Sequence, residues 1–237
     1  RNLSRGLGDV YKRQEYIFML LDSNPGNDTV EKVALFESMI KGETFAFFDV
    51  EDFELIIEYY LELDFKKKAK KALEIALEQY PIDLALTLIK IEFLNSSQRF
   101  DESLKALNNL NKFHPNNIDV VLGLGRLYSL MENKPHAIKY LNHAHDLILL
   151  DSSYNDHLQD LSYEFIQIEK FDSAIKVLKQ ILSFKPNDET VMMELGVAYH
   201  ESGKFQESVN YFKEVIDGNP YSHIAWFNLA TIYNVNE

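Results

Sequence analysis

The chain has 237 residues, is 46% hydrophobic and carries a formal net charge of -13, the composition of an ordered protein of one or two domains or of one elongated repeat array. The acidic balance argues against non-specific nucleic-acid binding and against docking on an anionic membrane surface, since both need a field of Lys and Arg. Cysteine is absent, which excludes disulfides, thiolate metal sites and a cysteine nucleophile.

The first stretch, "SRGLGDVYKRQ" from Ser4 to Gln14, is basic and glycine-bearing on an acidic chain. A phosphate-cradling loop needs a strand before it and a helix start after it, and neither is present. Residue for residue, the stretch is the translation of a DNA string that resembles a transposase sequencing adapter ending in the transposon mosaic end. Residues 1–14 are therefore expected to be adapter-derived, with native sequence beginning near Glu15 inside a longer protein. Without them the remainder is more acidic by three charges.

Residues 15–49 form an N-terminal segment. Its run "YIFMLL", Tyr16 to Leu21, is far too short to span a bilayer. "DSNPGNDT", Asp22 to Thr29, reads as a turn. "VEKVALFESMI", Val30 to Ile40, reads as a short amphipathic helix, and "ETFAFFD", Glu43 to Asp49, as an apolar stretch of β-prone residues. The segment is expected either to pack as an N-terminal cap on the remainder of the chain or to be loosely attached.

From residue 50 the prolines set a period. Pro81 and Pro115 lie 34 residues apart, as do Pro186 and Pro220, each after a helix-like run. Proline inside a helix costs about 3 kcal/mol, so these mark helix ends. The period gives repeats at 50–83, 84–117, 118–151, 155–188 and 189–222, with a partial one at 223–237 and one insert, Ser152 to Tyr154. Position 20 is small throughout: Ala69, Ser103, Ala137, Ala174 and Ser208. Position 11 is aromatic in all but one repeat: Tyr60, Leu94, Tyr128, Phe165, Tyr199 and Tyr233. Position 8 holds Gly125, Ser162, Gly196 and Ala230, but Ile57 and Ile91 in the first two repeats. The third repeat has Leu149 where the others have proline.

Several repeats in one register resemble the tetratricopeptide repeat (TPR) family over residues 50–237. The resemblance implies an all-α fold, a right-handed α-solenoid of stacked antiparallel helix pairs, the TPR superhelix. Small residues at positions 8 and 20 would let the first helix of each pair (helix A) approach the second (helix B). The partial last repeat leaves an apolar strip around Trp226, Leu229 and Tyr233 that reads as a broken edge.

Catalytic chemistry is sparse. "HAH", His143 to His145, places its two imidazoles on different helix faces, so they cannot share a metal. "GLG" at Gly123 to Gly125 falls inside a helix A, where Gly125 is the small position 8. Carboxylates are plentiful but spread over helix surfaces, with no closed pocket to hold a pair. No catalytic residue, cofactor or metal site is expected. "FKKKAKK", Phe65 to Lys71, is the one basic cluster. It reads as a solvated helix face, or as a docking patch for an acidic partner.

In the TPR family the concave groove is lined mainly by helix A positions 2, 5, 6, 9, 12 and 13. Carried onto this chain, they give a candidate peptide site at Glu54, Glu58, Glu92, Arg126, Gln159, Tyr163, Glu194, Phe227 and Asn228, with further acids at Glu51, Asp119, Asp156, Asp160 and Glu201. Arg126 is the one formal cation in this set. The Lys, Arg and Asn clamp with which TPR adaptors hold acidic chaperone tails is missing, and a carboxylate-rich groove would repel such a tail. The expectation is a non-catalytic scaffold or adaptor for protein or peptide partners, taking neutral or basic segments, or an accessory array of a larger multidomain protein. No nucleic acid and no membrane insertion are expected, and the expected location is cytoplasmic. The competing view is that the acids serve only to keep an apolar solenoid in solution.

Overall fold

A computed structural model describes residues 26–235. The adapter-like stretch, "YIFMLL" and the last two residues lie outside the described residues. Among the described residues the elements are helical and no strand occurs. The chain divides into two compact units, Arg1–Ser97 and Gln98–Glu237.

The N-terminal unit contains α1 (Gly26–Ile40), α2 (Val50–Glu62), α3 (Lys66–Gln79) and α4 (Leu84–Ser96). Helix α1 begins four residues earlier than expected. Gly26 to Thr29, read as part of a turn, form its first turn instead. Asp28 explains the difference: its carboxylate lies at the positive end of the helix and pairs with Lys32 one turn on, at 3.0 Å. Gly42, at φ 76°, closes the helix, and the Glu43 N–H reaches back to the Ser38 carbonyl.

The apolar stretch after α1 forms no strand. Phe48 turns inward while Phe45 and Phe47 stay exposed. Phe36, Phe48 and Phe53 meet edge-on or tilted, with centroids 5.7 to 6.0 Å apart. The Tyr80 hydroxyl donates to the Phe48 carbonyl at 3.0 Å. Val33, Phe36 and Phe48 thus join one core with Ile56, Ile57, Ala69 and Leu73. Burying each large side chain contributes about 1.5–3 kcal/mol.

The C-terminal unit contains α5 (Phe100–Phe113), α6 (Ile118–Leu130), α7 (Lys134–Leu150), a 3-10 helix (Ser152–His157), α8 (Leu158–Gln167), α9 (Phe171–Phe184), α10 (Glu189–Glu201), α11 (Phe205–Gly218) and α12 (His223–Val235). In the pairs α6/α7 and α10/α11 the helices approach through glycine. A Cβ on Gly125 would meet Leu141 at 2.6 Å, and one on Gly196 would meet Phe212 at 2.6 Å. The buried Ser208 hydroxyl donates to the Gly196 carbonyl at 2.6 Å, so this small residue also bonds across the pair. Beside each close approach two tyrosines stack, Tyr128 on Tyr140 and Tyr199 on Tyr211, both at 5.6 Å.

Two devices set the helix ends. Asp49, Asp83, Asn117 and Asp188 each precede a helix A and accept from the backbone N–H three residues on, at 2.8 to 3.1 Å. Between helices A and B the chain takes positive φ at Asp64, Gln98, Glu132, Glu169 and Gly203. At four of these turns the next N–H caps the carbonyl of position 11, on Tyr60, Tyr128, Phe165 and Tyr199.

Helix α7 differs from the other B helices. With Leu149 where they have proline, it continues to Leu150 and leads directly into the 3-10 helix that takes up Ser152 to Tyr154. Nothing there removes the backbone donor or blocks the next turn. Leu149 and Leu150 are left exposed.

Candidate functional site

The nine candidate residues fall in both units. Glu54 and Glu58 lie on α2 and Glu92 on α4. Glu54 is half-buried; Glu58 and Glu92 are exposed. Burial pushes the Glu54 carboxyl above its ordinary pKa, and the charges of Asp83, Glu51 and Glu58 add to the rise. These carboxylates repel one another, so a cation near them would relieve that repulsion.

The other six lie on α6, α8, α10 and α12 of the C-terminal unit. Here the structure ties neighbouring A helices together by polar bonds. The Arg126 Nε on α6 donates to Glu164 Oε1 on α8 at 2.7 Å, and its guanidinium lies 3.8 Å from Asp160. The Gln159 amide on α8 donates to both carboxylate oxygens of Glu194 on α10 at 2.7 Å. Burial raises the pKa of Glu164 against the opposing pull of Arg126, and raises that of Glu194 against the Gln159 bond.

Arg126, Gln159 and Glu194 are thus engaged within the protein. Tyr163 is 57% and Phe227 71% exposed. Asn228 is half-buried beside Phe227, while Asp119, Asp156, Asp160 and Glu201 are exposed. Sequence reasoning missed Glu164. It directly follows the candidate Tyr163 on α8, and its side chain is 5% exposed. The available signal was the solitary Arg126 in an acidic row, which required a carboxylate partner. The strip expected around Trp226, Leu229 and Tyr233 is only partly open: Trp226 and Tyr233 are half-exposed, but Leu229 is buried against Val209, Phe212 and Val215.

Residues 160–223 match the family model "Tetratricopeptide repeat". A TPR protein from Parabacteroides merdae ATCC 43184 superposes with a TM-score of 0.54 at 17% identity, over 87% of this chain and 71% of that one. The fold is that of tetratricopeptide repeats. MamA aligns with a TM-score of 0.52 at 22% identity, over 73% of this chain and 95% of its own. YrrB, a TPR protein with an unusual peptide-binding site, aligns with a TM-score of 0.51 at 18% identity, over 70% and 84% of the two chains. No curated protein matches the sequence. Among the described residues no group of three or more His, Asp or Glu is placed to hold a metal ion. No helix among them is long and apolar enough to cross a membrane.

Proposed function

We propose that the chain is a non-catalytic scaffold for protein–protein interaction, and that its C-terminal unit takes neutral or basic peptide segments along the exposed side chains of α6, α8, α10 and α12. The observation that carries this reading is the engagement of Arg126 by Glu164 and Asp160. With the one cation of the row neutralised from within, the groups open to a partner are carboxylates and the rings of Tyr163 and Phe227. Aromatic faces and carboxylates together suit Lys- or Arg-bearing segments, by Coulomb attraction and cation–π contact. The same fold carries a peptide-binding site in YrrB, which supports a binding role.

The test is isothermal titration of a Lys-rich and a Glu-rich peptide pool at about 50 and about 200 mM salt, where the Debye length falls from about 14 to about 7 Å. The Lys-rich pool should bind more tightly and lose affinity at the higher salt. A Tyr163→Ala/Phe227→Ala variant should weaken it about tenfold, a loss of about 1.4 kcal/mol. Equal binding of both pools, or binding indifferent to the double variant, would sink the proposal.

A further inference from the structure

The N-terminal unit carries a lysine row on α3. Lys66, Lys67, Lys68, Lys70 and Lys71 occupy the first two turns of α3 in the N-terminal unit. That helix has no acidic residue in its first turn, and Phe65 at its N-cap makes no side-chain cap bond. Lysines at the positive end of a helix repel its dipole. Lys68 is offset by an ion pair with Glu37 of α1, and its ammonium lies 5.4 Å from the ring centroids of Tyr60 and Phe65. Lys66 has exposed Asp64 at 3.5 Å. Among the described residues no carboxylate pairs with Lys67, Lys70 or Lys71.

Two troughs flank the row. The first, of about 400 Å³, is lined from α1, α2 and α3. Phe36 and Tyr60 lie buried beneath it, Ile40 is a wall 47% exposed, the paired Lys68 and Glu37 line it, and Lys41, Lys67 and Lys71 stand exposed around it. The second, of about 500 Å³, has Leu61 and Phe93 as its apolar side chains, with Lys66, Lys67 and Lys70 on one side and Glu92 as its single acid. Lys67 belongs to both.

We propose that this surface docks an acidic, amphipathic peptide segment of a partner protein. An apolar side chain of that segment would seat against Ile40 and the aliphatic stems of Lys67 and Lys71. Flanking Asp or Glu side chains would meet Lys41, Lys67 and Lys71. An exposed apolar wall among unpaired lysines fits a ligand carrying both features, and neither alone fills it. A flat anionic bilayer cannot enter a trough, and the net charge of -13 repels a long polyanion such as nucleic acid. The cluster therefore acts at short range. The proposal is independent of the C-terminal face and opposite to it in charge preference.

The test uses the full chain and fluorescence anisotropy with a labelled peptide of Leu, Glu and Asp. Two control peptides have every acid replaced by Gln or by Lys. The acidic peptide should bind, and the Gln and Lys peptides should each be at least about tenfold weaker. Lys67→Glu/Lys71→Glu and, separately, Ile40→Glu should each weaken the acidic peptide by about tenfold or more. All three side chains are exposed, and circular dichroism would verify that the variants stay folded. Tyr163→Ala/Phe227→Ala should leave this binding unchanged, which separates it from the C-terminal face. Failure of the acidic peptide to bind, equal binding of the Gln peptide, or unchanged affinity in both α3 and α1 variants would overturn the proposal. So would cosedimentation with phosphatidylserine vesicles that Lys67→Glu/Lys71→Glu abolishes while peptide binding persists.

Discussion

Glycine is needed at Gly196 for packing and is favoured at Gly203 for conformation. At Gly203 the backbone holds φ 76° with nothing within 4 Å of an added Cβ, so conformation alone favours glycine there, and four equivalent turns hold positive φ without it. At Gly196 an added Cβ would meet three atoms of the Phe212 ring at 2.6, 2.7 and 2.9 Å. A buried ring cannot swing aside, so Gly196→Ala should lower the unfolding free energy by about 1–3 kcal/mol. Gly123 is the contrast, since its added Cβ meets a Leu107 methyl at 3.1 Å. There a small rotation suffices, and the helix preference of alanine, roughly 1 kcal/mol, offsets it. Gly123→Ala should stay within about 0.5 kcal/mol of the parent in urea unfolding. The small residue at position 8 was legible in the sequence. The shared positive φ at the helix A to B turns was not, because Asp64, Gln98, Glu132 and Glu169 give no glycine signal there.

In the C-terminal unit polar bonds join α6 to α8 and α8 to α10, and that of Arg126 to Glu164 has the clearest consequence. Burial holds the Glu164 pKa above its unfolded value, so the folded chain binds that proton more tightly than the unfolded chain does. Its contribution to stability is therefore greatest at low pH. It declines as pH rises from the ordinary carboxylate range through the raised folded pKa. Arg126 limits that decline by stabilising the charged form. Arg126→Met removes the limit, so its cost should be small near pH 4 and larger near pH 8. Fully buried pairs lose about 3–5 kcal/mol when one partner is removed. Arg126 is 42% exposed, so about 1–2 kcal/mol is expected at the alkaline end. Unfolding curves of both proteins across that range provide the measurement, and a pH-independent difference would mean that Arg126 does not act through the Glu164 charge. The N-caps act at the same scale: Asp83, Asn117 and Asp188 each give a donor of the first turn a partner, worth about 1 kcal/mol.

At the scale of the molecule, charge dominates. A net charge of -13 over 237 residues makes self-repulsion a cost of folding that counterions screen. Among the described residues, several ion pairs are exposed on both sides and contribute little each, about 0–1 kcal/mol. Added salt should therefore remove more repulsion than attraction. The thermal midpoint is expected to rise between about 10 and about 200 mM sodium chloride. A falling midpoint would mean that the ion pairs outweigh the net charge. The same charge makes the lysine row of α3 exceptional, because it is a local reversal of sign on an acidic surface.

The sequence by itself determined the class of fold, because it is written in local terms. Helical spacing of apolar residues, a proline past helix ends and small residues at fixed positions need no knowledge of the rest of the chain. It also determined that the positions expected to line a groove are mostly acidic, since that comes from residue identity alone. Only the tertiary structure decided which of those groups remain open to a partner. Arg126 is engaged by a carboxylate 38 residues away, Glu194 by an amide 35 residues away, and Leu229 is covered by α11. Only tertiary packing brought α1 against α3, placing Phe36 and Ile40 beside the lysines. Burial and pairing are properties of neighbours in space, and a one-dimensional pattern fixes neighbours only within a turn or two of helix.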